Sequence, residues 1–419
     1  MAGVVAYVLL LLVVATVLLY SLRQLIFTIN RLTGVQRHPF MDISMARWPV
    51  IAVLVTVQNN EQTIARCIEA LLNTDYPSER LKIILITDRS KNSTTDIVDS
   101  YVVRFPLQIS AFYSGSSQTG KAAALNDALL YAKGDIALTF DAGDIPSRGL
   151  IKQLVAPFFD PEVGAVMGRV VPVNGGTNLL TRLLDLDHAA DYQVAQQARM
   201  NMNLLAQYAG TVGGVRLSAV LAVGGWRDDA FAADTDLTVR LMLNGWKTAY
   251  TNRAECYEEL PQEWSVRIKQ MTLWAKGHHQ MLTRYGRQFA NRRYLTLGQR
   301  IDGLLLLFAF VMPLIMLMGW CVALGLYFIN AGSLLSQLIP VFVMTACSTL
   351  RNFAAFFKTV AAVLIDGNRR RLRLLPFNLL VYFVYLFVLS GVVWRLLFKS
   401  VFKSERVIEK NQPHSMGGL

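Results

Sequence analysis

"PVIAVLVTVQNNEQTIARCIEALLN", residues 49–73, decides the fold class. Its first half is an unbroken run of Val, Ile and Leu, the pattern of a strand buried on both faces. Its second half spaces Ile64, Ile68, Leu71 and Leu72 at the helical repeat. The same cadence continues through "LKIILIT" (81–87), "STTDIVDSYVVRF" (93–105), "LQISAFY" (107–113), "GKAAALNDALLYAKG" (120–134) and "DIALTF" (135–140). Strand alternating with helix predicts an α/β domain built on a mostly parallel sheet, with helices on both faces. Such sheets take ligands at the carboxyl ends of their strands.

Three of those ends are polar: Thr56 through Glu61 after the first strand, Asp88-Arg89-Ser90 after the second, and Asp141-Ala142-Gly143-Asp144 after the fourth. Within "TFDAGDIPS" (139–147), Asp141 and Asp144 form either a carboxylate pair for a cation or an acidic turn. "DTDLTVRLMLNGWKTAY" (234–250) reads as a further helix opening on Asp234. That carboxylate either caps the helix or takes part in chemistry.

Outside this region the chain changes character. Over its 419 residues, 53% are hydrophobic and only 17% charged. The apolar excess is concentrated in four uncharged runs at 2–22, 303–329, 334–350 and 377–394, each near the length of a bilayer-crossing helix. The expected organisation is an N-terminal transmembrane helix (1–28), a catalytic domain (48–260), amphipathic interface helices (261–298), about three C-terminal transmembrane helices (299–400) and a tail (401–419). Arg23, Arg31, Arg37 and Arg47 follow the first run, which places the domain in the cytoplasm. The basic stretch "DGNRRRLRLLP" (366–376) fits a cytoplasmic loop, whereas Lys399, Lys403, Arg406 and Lys410 give a basic tail on the side where four spans would leave it outside.

The net charge of +12 comes from 41 basic against 29 acidic residues. It clusters beside the spans, which reads as contact with anionic lipid and not nucleic acid. The four cysteines are scattered, without zinc spacing. "PQEWSVRIKQMTLWAKGHHQMLTRYGRQFANRR" (261–293), with Trp264 and Trp274, reads as a helix along the membrane surface, and His278 and His279 there as interfacial.

Taken together, from about residue 50 to 280, these motifs resemble the membrane-integrated family-2 glycosyltransferases: cellulose, hyaluronan, poly-N-acetylglucosamine and chitooligosaccharide synthases. "DPEVGAVMGRV" (160–170) is similar to the strand those enzymes carry after their metal motif, and one span before the domain with three after it is nearest the chitooligosaccharide synthases. The resemblance implies a cytoplasmic GT-A-like nucleotide-sugar transferase domain in the cytoplasmic membrane. It implies a UDP-sugar donor, Mg²⁺ or Mn²⁺, a growing polysaccharide as acceptor, and room for an accessory subunit.

Carried over by position, Thr56, Asn59, Glu61, Asp88, Lys121 and Asn126 belong to nucleotide-sugar binding, with Asp88 on the uracil and Lys121 near the diphosphate. Asp141 is the first aspartate of the metal motif and Asp144 a substitute second ligand. Asp234 is the general base, and Gln270 with Trp274 match the "QxxRW" element beside the acceptor. The chain departs from the pattern at Gly143 (usually Asp), Ala233 (Glu), Leu273 (Arg) and Arg89 (Gly), and "TVGGVRLSAV" (211–220) is about four residues short. Two alternatives to a β-forming polysaccharide synthase therefore stand: a degenerate paralogue acting as scaffold or regulatory subunit, and a single-transfer glycolipid enzyme.

Overall fold

The computed structural model describes residues 2–37, 47–57, 61–87, 93–113, 120–292, 295–329 and 333–402. Among the described residues, eight strands form one sheet: β1 (Ile51–Val57), β2 (Leu81–Thr87), β3 (Ile109–Tyr113), β4 (Ile136–Asp141), β5 (Ile145–Pro146), β6 (Val163–Pro172), β7 (Gly213–Arg216) and β8 (Lys247–Glu258). Their spatial order is β3-β2-β1-β4-β7-β6-β8-β5. The first four are parallel, as expected, and β7 is antiparallel to both β4 and β6. The Val/Ile-rich segments form the sheet's centre because both faces are covered: every residue of β1 but Thr56 is buried. One face packs against Ile64, Ile68 and Leu71 of the helix Ile64–Leu72, the other against Leu125 and Trp226.

The chain order reverses at β1. From β1 it winds outward through β2 and β3, then returns to β4 on the opposite side of β1. That reversal opens a crevice above the carboxyl ends of β1 and β4, where doubly wound sheets hold their ligands. In register, Thr56 of β1 lies beside Asp141 of β4.

The helix at Asp234 is shorter than its sequence suggests. It covers Ala233–Leu243, and Lys247 onward is β8. Gly245 (φ +87°) ends it, with Gly245 N–H donating to Met242 O and Trp246 N–H to Leu241 O. This double closure is the usual glycine stop for a helix.

Among the described residues, four helices are long and apolar enough to cross a membrane: Gly3–Thr33, Met312–Ile329, Leu334–Ile365 and Arg369–Phe398. The uncharged run at 303–329 is divided between Leu297–Phe308 and Met312–Ile329. Pro313 is the reason, since it has no N–H for the carbonyl one turn back and its ring would clash there. The helix Trp264–Asn291 docks on the last span, where Arg267 Nε donates to Tyr385 Oη at 2.9 Å. His278 in it is buried, its ring 4.6 Å from that of Phe310.

The spans and the domain are tied together by Asp302. Its Oδ1 accepts from Arg23 (Nε at 2.8 Å) on the first long helix, and its Oδ2 pairs with Arg199 at 3.3 Å. With Asp302 only 4% exposed, removing its charge strands two guanidinium groups in a poorly solvated site. Asp302→Asn is expected to cost about 3–5 kcal/mol, read as a lowered unfolding temperature in detergent.

Candidate active site

At the crevice, Asp141 holds two donors on one oxygen. Thr56 Oγ1 reaches its Oδ1 at 2.5 Å from the neighbouring strand, and Lys121 Nζ reaches the same atom at 2.6 Å. Lys121 is the first residue of the helix Lys121–Leu129, so its side chain starts beside the strand ends and can lean over them. It also lies 3.4 Å from the Gly210 carbonyl. Burial works against its charge, but Asp141, Asp234 and Asp144 more than offset that and hold the ammonium protonated.

Asp144 takes a different path. Its Oδ2 accepts the Asp141 N–H at 2.7 Å, while its own N–H donates to Asp141 O at 2.9 Å. The side chain is therefore folded back under the turn and 1% exposed. Burial, then Glu258, raise its carboxyl well above the usual range. Asp144, expected as a second cation ligand, thus closes its own turn with one oxygen, while its Oδ1 is buried and has no hydrogen-bond partner among the described residues.

Asp234 stands on the other side of Lys121. It does not cap its helix: the cap position is Ala232, which makes no side-chain bond. Instead Asp234 Oδ1 accepts the Trp226 indole N–H at 2.8 Å. Asn126 locks that indole's backbone, donating to Trp226 O at 2.7 Å and accepting its N–H at 2.8 Å. Asn126, expected to touch the donor, thus has both ends of its amide committed to bracing Trp226. Gly210 closes the wall behind the carboxylate. A Cβ on Gly210 would fall 1.8 Å from Asp234 Oδ2, and its φ of +82° is one that glycine adopts without strain. Burial, opposed by Lys121 and the Trp226 hydrogen bond, raises the Asp234 carboxyl above its ordinary value.

The helix Trp264–Asn291 brings the remaining candidates alongside. Gly277 lets it press on Ala232, where a Cβ would sit 2.5 Å from Ala232 Cβ. That contact sets the stretch carrying Gln270 and Trp274 near the start of Asp234's helix. Arg267 lies over the Trp274 ring at 5.1 Å, a cation on the ring that Leu273 does not supply. No hydrogen bond among the described residues joins Gln270 or Trp274 to Asp141. Glu61 is exposed, and Asn59 and Asp88 lie outside the described residues.

A family model described as "Glycosyltransferase like family 2" matches residues 49–277, more than half of the chain. The chain belongs to that family. Among curated proteins, this family-2 chain is 30% identical over 248 residues to the probable glycosyltransferase YdaM of Bacillus subtilis, covering 59% of each. It is also 30% identical over 247 residues to a β-monoglucosyldiacylglycerol synthase of Synechocystis, covering 59% of this chain and 51% of the relative. It thus spans between half and three-fifths of the length of these relatives. Its fold matches that of a Pyrobaculum calidifontis mannosyltransferase solved with GDP-Man and Mn²⁺, at a TM-score of 0.55 and 19% identity, over 87% of this chain and 98% of that one. The domain is GT-A-like, with the mostly parallel sheet expected.

A divalent cation fits this family-2 site as an open one. Among the described residues no three His, Cys, Asp or Glu side chains form a closed set. A hard cation that shares its shell with phosphates needs only one or two carboxylates, and Asp141 stands at the crevice.

Trp226 and Gly210 were not legible as site residues. An indole eight positions before a carboxylate has no periodic signature, and a glycine's role as a wall depends on what folds against it. Trp226→Phe provides a check on the first. Losing the N–H that favours the charged form raises the Asp234 carboxyl further. A rate that needs Asp234 ionised falls as pH drops through that carboxyl's folded-state value. The acid limb of kcat/KM is therefore expected to move to higher pH, with the alkaline limb in place.

Proposed function

We propose that the chain is an inverting, metal-dependent hexosyltransferase that uses a UDP-sugar to form β-glycosidic bonds in a polysaccharide. The domain at about residues 48–260 works on the cytoplasmic side of the cytoplasmic membrane, above interface helices and the later spans, and the spans export the product. The observation that carries this reading is Asp234: one enclosed carboxylate, aligned by Trp226 and Gly210, across Lys121 from Asp141. A single base without a protein nucleophile implies one displacement at the anomeric carbon, hence inversion.

Asp234 takes the proton from the acceptor hydroxyl as that oxygen attacks. Lys121 supplies positive charge where the diphosphate departs, helped by its place in the first turn of a helix. Thr56 fixes the orientation of Asp141, the residue that would hold Mg²⁺ or Mn²⁺. When bound, such a cation neutralises charge growing on the leaving diphosphate. Trp274, stacked by Arg267, offers an aromatic face to an acceptor sugar. The assembled Lys121–Asp141–Asp234 group weighs against the scaffold reading, since each charge here would cost stability without a ligand to justify it.

A second reading, single transfer to a glycolipid, is favoured by the similarity to the β-monoglucosyldiacylglycerol synthase of Synechocystis. One experiment separates these readings. Purified protein in detergent is given a panel of UDP-sugars with Mn²⁺ or Mg²⁺, and both UDP release and product length are measured. Release from one donor with products of many lengths supports the synthase, and one product of fixed size supports the glycolipid enzyme. No release from any donor overturns both.

A further inference from the structure

Away from the crevice, a groove of about 480 Å³ runs between the spans Met312–Ile329 and Arg369–Phe398. Ligand pockets typically measure ~300–1,000 Å³ and are mostly apolar, with a few placed polar groups. This one has Leu314, Met318 and Val322 on one wall and Phe387, Gly391 and Trp394 on the other. Gly391 makes a notch in the second wall, since a Cβ built there would meet nothing within 4 Å. Met318, Phe387 and Trp394 are exposed, so in a membrane the groove faces hydrocarbon.

Packing on either side sets the depth of the groove. The span Met312–Ile329 starts at the domain, because the preceding helix Leu297–Phe308 buries Leu307 in one cluster with Leu205, Val239 and Met242. Leu314 to Val322 therefore run from its domain end to just past its middle. On the other wall, Leu389 packs against Met271 and Ala275 of the helix Trp264–Asn291, which puts its neighbour Ser390 level with that helix. Ser390 is 3% exposed and lines the groove, and its hydroxyl has no hydrogen-bond partner among the described residues. Thr16, Ser21, Thr345 and Thr359 on other spans each donate to the carbonyl four residues back, the ordinary outlet for a hydroxyl in a helix. A buried hydroxyl without a partner is costly, and an oxygen of a ligand in the groove removes that cost.

We propose that the groove seats an acyl chain of an ester-linked lipid from the leaflet on the domain side, with an ester oxygen accepting from Ser390, and that this lipid is the acceptor. The apolar walls suit a hydrocarbon chain, whereas a sugar chain would leave its hydroxyls unpaired against Leu, Met and Phe. A lipid held here brings its headgroup beside the helix that carries Gln270 and Trp274, where Arg267 lies over the rings of both Trp274 and Tyr385. Its free hydroxyl oxygen bonds to the anomeric carbon as the nucleoside diphosphate leaves, and the hydroxyl proton passes to Asp234. The proposal deepens the glycolipid reading above and rests on it.

The test is photo-crosslinking of the full chain in detergent with a diacylglycerol bearing a diazirine on one acyl chain. Labelled peptides are located by mass spectrometry, and transfer to the same lipid is measured with the panel of UDP-sugars. Labelling is expected within 314–322 and 387–394. Gly391→Leu fills the notch with a residue that favours helix. Displacing two methylenes from an apolar site costs roughly tenfold in affinity, so this variant is expected to lose labelling and raise the KM for the lipid by about that much, with UDP binding unchanged. Ser390→Ala removes one hydrogen bond and is expected to weaken the lipid about two- to tenfold. Gly325→Leu, also in open space but outside the groove, is expected to match the wild type.

Labelling that falls elsewhere, or that Gly391→Leu leaves intact, would overturn the site. Labelling lost in Gly391→Leu with the lipid KM unchanged would overturn the acceptor role, because the groove would then hold only a boundary lipid. Wild-type protein that is labelled in the groove yet transfers to no lipid would sink the glycolipid reading itself. Unfolding temperatures of the three variants close to wild type establish that the comparison is between folded proteins.

Discussion

Asp234→Asn is expected to cut turnover by about 10²–10⁴-fold while nucleotide binding stays within a few-fold of wild type. Asparagine has nearly the same shape, so the oxygen of the substituted amide can still accept the Trp226 indole N–H that aligns the native carboxylate at 2.8 Å. The neighbours need not move, and the loss is confined to the ability to accept a proton. The wild-type rate is expected to fall as pH drops through the raised Asp234 value, since burial favours the protonated form and only the ionised form is a base. The mutant's residual rate should lack that limb. The measurement is UDP release against pH for both proteins. A mutant that keeps the wild-type rate and profile would remove Asp234 from the chemistry and turn attention to another carboxylate of the crevice.

Gly210→Ala should be nearly as damaging without touching any reactive group. Its Cβ would fall 1.8 Å from Asp234 Oδ2, far inside contact distance, so either the carboxylate or the backbone must give way. The φ of +82° adds about 1–2 kcal/mol for any residue with a side chain. Displacing the base by about an ångström can cost on the order of 10²-fold in rate. The expected outcome is a loss of at least that size in kcat, with donor binding reduced much less because Thr56 and Asp141 make no contact with Gly210. Val212, held at φ +50° just beyond, shows that this turn is already strained. Equilibrium binding of UDP beside kcat distinguishes this from general unfolding, and an active Gly210→Ala enzyme would mean the carboxylate sits elsewhere in the working state.

How much of this was legible in the sequence follows from the range of each signal. The strands were legible because a strand buried on both faces must be Val/Ile-rich along its whole length, as 51–57 is. Asp141, Lys121 and Asp234 stood out because each is polar at the edge of an apolar element. The fold-back of Asp144 was not legible, because in a turn one added residue decides which of its own backbone groups a carboxylate can reach. The bond from Asn126 to Trp226 was not legible, because an amide's partners can be a hundred residues away.

By itself, then, the sequence determined what local rules dictate: the α/β alternation, four apolar helices, and the charged residues left at strand ends. These depend on burial periodicity and on the cost of charge in an apolar setting, both of which act residue by residue. Only the tertiary structure decided what meets across the sheet. It set Thr56 beside Asp141 by register, Gly210 behind Asp234, and Asn126 on the backbone of Trp226. Those juxtapositions come from strand order and pairing, which no single segment encodes, and they turn scattered charges into a site.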